Sequence, residues 1–121
     1  MSNKKTVAVD FDGVIHSYAS GWQGAGVIGD PPVPGAIEWL RSLLPHFWVV
    51  VHSARAKSEQ GYWAIRQYLE THGLDIAGIE ISHEKPPAIM YVDDRAWRFT
   101  GDNFPTVEEL RAFRPWNHQG P

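Results

Sequence analysis

The sequence predicts an α/β fold in which a mostly parallel sheet carries helices on both faces, a three-layer sandwich. Three observations lead there. Short apolar runs alternate with stretches of helical periodicity along the chain. The runs are continuously apolar rather than alternating, the pattern of strands covered on both sides. A length of 121 residues, 43% hydrophobic and 21% charged, fits one globular domain.

The elements follow in order. Thr6-Val7-Ala8-Val9 is a β-branched run that reads as the first strand. A stretch rich in Gly, Ser and aromatics, residues 16–34, reads as a flap and closes on Pro31, Pro32 and Pro34, the last well placed to start a helix. In that helix, over 35–44, Ala36, Ile37, Leu40, Leu43 and Leu44 share a face, and Pro45 ends it. Phe47–Val51 predicts the second strand. Ser58 is a candidate cap for the next helix, in which Tyr62, Ile65, Leu69 and His72 are in register and Gly73 stops the element. Gly78–Ile81 predicts a weaker strand and Ala88–Val92 another. Thr106 and Glu109 form the capping box of a last helix. Residues 1–114 are expected to form one domain, with 115–121 a loosely ordered tail.

Composition excludes several function classes. The formal charge of −3 gives no sign of the basic face expected of a protein that holds nucleic acid by phosphate contacts alone. No cysteine is present, which rules out disulfides and thiolate metal sites. No apolar run approaches the ~20 residues of a membrane span. The expectation is a soluble cytoplasmic protein, monomeric or a small homo-oligomer, that does not engage a membrane.

In a parallel α/β sheet, ligands bind beyond the carboxyl ends of the strands. Asp10 and Asp12, Ser53, and Asp93 and Asp94 each follow an apolar strand, and Lys85 lies in the loop after a fourth, so all are expected in one crevice. Asp10 and Asp12 repel each other unless something positive lies between them. Hard oxygen ligands without Cys or paired His select Mg²⁺. Lys85 and Ser53 suit the oxygens of a bound phosphate. A carboxylate can attack phosphorus directly, and a second one close by can move the protons. His83-Glu84 is not the start of a zinc-binding helix, because Pro87 lies where helix must continue. His16, His46, His52, His72 and His118 read as ordinary polar or packed residues, with His16 and His52 near the crevice. Arg55 is a candidate for a substrate phosphate and Trp22 for stacking on a base or sugar.

The segments Asp10-Phe11-Asp12-Gly13-Val14-Ile15, Ser53, Lys85 and Val92-Asp93-Asp94 resemble, in order, the four motifs of the haloacid dehalogenase superfamily of phosphohydrolases. The resemblance covers residues 6 to about 95, and Asp94-Arg95-Ala96 through Phe104-Pro105 also looks like small, capless members. It implies a Rossmann-like fold and Mg²⁺-dependent hydrolysis of a phosphate monoester through an aspartyl-phosphate. It makes Asp10 the nucleophile and a metal ligand, and Asp12 the general acid/base with its backbone carbonyl on the metal. Ser53 and Lys85 would hold the phosphoryl group, Lys85 would also neutralise Asp10, and Asp93, Asp94 or both would complete the metal site. Gly13, Arg55 and Trp22 are expected on the substrate side. The gaps between motifs, about 20 residues from Gly13 to Gly35 and about 30 from Ser53 to Lys85, leave no room for a cap domain. The site is thus expected to be open, suiting a nucleotide, a polynucleotide end or another large phosphorylated substrate. Two rivals are a receiver-like phosphoacceptor domain and an idle phospho-ligand-binding protein. The motif order argues against the first, since Ser53 rather than an Asp follows the second strand, and the complete acid set argues against the second.

Overall fold

Branched and aromatic residues concentrate in four short segments, and these form the strands of the computed structural model, which describes residues 4–117. The strands are β1 (Lys5–Asp10), β2 (Phe47–His52), β3 (Ile79–Ser82) and β4 (Met90–Val92), and the helices are α1 (Ala36–Leu43), α2 (Glu59–Thr71) and α3 (Val107–Ala112). The sheet has the order β3-β2-β1-β4 and every pairing is parallel. In register, Val7 pairs with Val49 and Val9 with both Val51 and Val92, so the carboxyl ends of β1, β2 and β4 lie together. The chain is therefore of the α/β class.

Side chains alternate along a strand. One face presents Val7, Val9, Val49, Val51 and Ile79, which pack in a single core with Ile37 and Leu40 of α1 and Ile65, Tyr68 and Leu69 of α2. Local chemistry places these helices as the sequence predicts. The Ser58 hydroxyl accepts the Gly61 amide at 3.0 Å to open α2. Thr106 and Glu109 exchange side-chain-to-backbone hydrogen bonds at 3.1 and 3.0 Å to open α3.

Two expectations are corrected. Helices do not cover both faces: α1 and α2 share one, and α3, the last helix, is six residues long and buries none of them. The other face carries Thr6, Ala8, Trp48, Val50, Glu80 and Tyr91, with Trp48 50% and Tyr91 40% exposed. The tail is not loose where it is described. The Trp116 indole donates to the Gly13 carbonyl at 2.6 Å, and the Asn117 amide to the Ser17 carbonyl at 3.1 Å. Residues 118–121, with His118, lie outside the described residues. No helix among the described residues is long and apolar enough to cross a membrane.

Candidate active site

The crevice at the carboxyl edge of the sheet is a cavity of about 310 Å³ that brings together Asp10 at the end of β1, Asp12 just beyond it, Ser53 and Arg55 after β2, and Asp94 after β4, with Trp22 on the flap. Asp93 joins them from the β4 side: one carboxylate oxygen each from Asp10, Asp93 and Asp94 falls within 4.8 Å of the others. Both members of the adjacent acidic pair thus reach the site.

Three carboxylates this close need positive charge or a proton. Burial first, then the charge of Asp93 and the hydrogen bond and charge of Asp94, push the Asp10 carboxyl up to about 7. Oδ1 of Asp94 is buried without a partner among the described residues. An orphaned buried oxygen inside an all-oxygen acidic donor set fits a hard divalent cation of the Mg²⁺ kind. Gly13 permits the arrangement. Its φ is +89°, and a Cβ there would collide with Oδ2 of Asp94.

Asp12 lies two residues from Asp10 but in an opposite environment. Its Oδ1 pairs with Nδ1 of His16 at 2.8 Å, and its Oδ2 accepts from Nε of Arg55 at 2.8 Å. Burial pushes this carboxyl up, but the hydrogen bonds from His16 and Arg55 and the charge of Arg55 outweigh it and leave Asp12 below the usual carboxylate range. His16 is itself buried and oriented from behind: its Nε2 accepts the Asp30 amide at 3.2 Å, so Nδ1 carries the proton given to Asp12. Ser20 holds Asp30 in turn, through its amide at 2.9 Å and its hydroxyl at 2.7 Å, and keeps that carboxyl low. The His16 ring packs between Phe11, Tyr18 and Tyr68.

Arg55 is 1% exposed and organises the crevice. Besides Asp12, its Nη1 donates to the carbonyls of Gly24, Ala25 and Val27 at 2.8, 3.0 and 3.1 Å, which ties the flap down. The Trp22 ring lies over the guanidinium with its centroid 4.7 Å from Cζ. The buried Ser53 hydroxyl accepts the Arg55 amide at 3.2 Å, capping the 3-10 turn Ala54–Lys57, and keeps its own proton to donate.

Lys85 departs from expectation. It is exposed, it does not line the cavity, and its ammonium sits 4.5 Å from the centre of the Tyr91 ring. The Tyr91 hydroxyl donates to the Pro86 carbonyl at 2.6 Å, holding this loop against β4. The role of neutralising Asp10 is not served by Lys85 in this arrangement; the cationic side chains at the cavity are Arg55 and Arg95. Sequence reasoning underestimated His16. Its signal was the four-residue spacing from Asp12, which brings them together across the turn after β1.

No family model, no curated protein and no solved structure matches the chain. The functional reading therefore stands on the geometry of this crevice.

Proposed function

We propose that the protein is a divalent-cation-dependent phosphatase that cleaves phosphate monoesters through a phosphorylated Asp10, on a Rossmann-like scaffold of the haloacid dehalogenase type. The observation that carries the reading is the division of labour between two carboxylates two residues apart. Asp10 faces other acids where a cation fits. Asp12 is fastened through both oxygens by Arg55 and His16. Pairs of titratable groups pushed in opposite directions mark acid–base assignments.

In the first step an oxygen of Asp10 forms a bond to phosphorus while the bond from phosphorus to the leaving oxygen breaks. That oxygen takes a proton from Asp12. The arriving phosphate brings negative charge beside Asp12, which raises its pKa and loads it as an acid. In the second step water attacks phosphorus, the bond to Asp10 breaks, inorganic phosphate leaves, and the water proton passes to Asp12. The hydrogen bonds from Arg55 and His16 keep Asp12 anionic and aimed for this base role. The Ser53 hydroxyl donates to a phosphoryl oxygen. Asp10, Asp93 and Asp94 would hold Mg²⁺, which neutralises the acid cluster and polarises the phosphoryl oxygen.

The test is turnover of a generic aryl phosphate. Activity is expected with Mg²⁺ and is lost with EDTA and in Asp10→Asn, with a drop of at least a thousandfold for the nucleophile variant. A folded, Mg²⁺-loaded sample that cleaves no phosphate ester contradicts the proposal.

A further inference from the structure

The guanidinium of Arg55 has one nitrogen to spare. Nε is taken by Asp12 and Nη1 by three flap carbonyls, whereas Nη2 is buried and has no partner among the described residues. In a guanidinium, Nε–H and one Nη2–H point along the same edge. Since Nε donates to Asp12, the free Nη2–H points along the same edge, beside the Asp12 carboxylate that lines the same cavity. An unpaired buried donor of this kind costs stability unless a ligand supplies the acceptor.

Aromatic groups flank that position. Trp22 is 59% exposed, and one face of its ring is fixed on Arg55, so the other is free to stack. Tyr18 lines the same cavity with φ +61°, a left-handed conformation that a bulky residue seldom adopts and that is concentrated at ligand sites. Tyr18 and Arg95 also line an adjoining cavity of about 260 Å³, walled by Ser20, Gly21 and Asn117, with no carboxylate among the described residues that line it. The crevice thus runs from the acids past a cation and two aromatic rings into a polar, non-acidic recess.

We propose that this groove is a nucleotide subsite. The phosphate lies at Asp10 with an oxygen on Nη2 of Arg55, the base stacks on Trp22 and Tyr18, and the recess beside Arg95 takes an adjacent sugar or phosphate. The inference rests on the phosphatase reading of the same site. It narrows the substrate to a nucleoside monophosphate unit, free or at the end of a single strand. Base stacking on an aromatic side chain discriminates strongly without reading sequence.

The experiment compares kcat/KM for adenosine 5′-monophosphate, a 5′-phosphorylated single-stranded oligonucleotide, ribose 5-phosphate and glycerol phosphate. At least one nucleotide substrate is expected to exceed ribose 5-phosphate tenfold or more, and the better of the two identifies the source. Trp22→Ala is expected to collapse that ratio and Trp22→Phe to restore most of it. Calorimetry on Asp10→Asn protein with the same compounds gives a readout independent of turnover, and the nucleotides are expected to bind at least fivefold tighter than ribose 5-phosphate. Equal efficiency and equal binding for all four compounds overturn the subsite while leaving the phosphatase reading intact. Nucleotide binding without cleavage of any ester supports the subsite and overturns the phosphatase reading.

Discussion

At the scale of single residues, the pair Asp10 and Asp12 shows how environment separates identical side chains. The folded state keeps a proton on Asp10 that the unfolded chain releases near pH 4, since the folded value is about 7. Asp10 therefore makes stability fall as pH rises from about 4 to about 7. A cation binding the ionised form reverses that penalty. Mg²⁺ at a hundredfold excess over its Kd is thus expected to raise Tm by on the order of 10 °C at pH 8. The shift should be much smaller at pH 5, where protons compete with the ion. Scanning calorimetry at both pH values checks this, and an equal shift at both contradicts it. His16→Leu removes a hydrogen bond that lowers Asp12, so the Asp12 pKa rises. The acidic limb of the kcat profile is expected to move to higher pH, whereas a purely structural role for His16 would lower the rate at every pH. Gly13→Ala forces Asp94 aside and is expected to cost at least tenfold in apparent Mg²⁺ affinity, read from a metal titration of activity.

At the scale of elements, the strands, the three helices and the Thr106 capping box were legible because each depends on neighbours in sequence. The core faces of α1 and α2 followed from spacing, with Ile37, Leu40, Ile65 and Leu69 buried as expected. Less legible was what joins elements. The Arg55 guanidinium reaches Asp12, 43 residues away, and three carbonyls of the flap, and no local pattern announces such a contact. The same limit misplaced Lys85, whose loop is held to Tyr91 rather than turned into the crevice. One element contact has a sharp consequence. A Cβ on Gly61, in the first turn of α2, would collide with the Arg55 carbonyl. Gly61→Ala is expected to destabilise by roughly 1–3 kcal/mol and to lower activity through Arg55. Thr106→Ala is expected to cost about 1 kcal/mol of local helix stability with kcat unchanged, because α3 buries nothing. Denaturant unfolding with parallel rate measurements separates the two cases.

At the scale of the whole molecule, the parallel order β3-β2-β1-β4 carries acids, hydroxyl and guanidinium to one edge of the sheet. The α/β class and the location of the crevice could be read from the sequence because continuous apolar runs end on polar residues three times. The make-up of the second face could not. Ala8 and Val50 are buried there although Trp48 and Tyr91 beside them are exposed and α3 buries none of its own residues. The proposed chemistry turns on attack by Asp10 on phosphorus. A rapid acid quench during turnover of an aryl phosphate whose leaving group needs no proton, followed by mass spectrometry of the peptides, tests it. A transient phosphoryl group is expected on Asp10, accumulating when Asp12→Asn slows its hydrolysis and absent from Asp10→Asn. A phosphoryl group on Ser53, or product release with no labelled intermediate in Asp12→Asn, would contradict it.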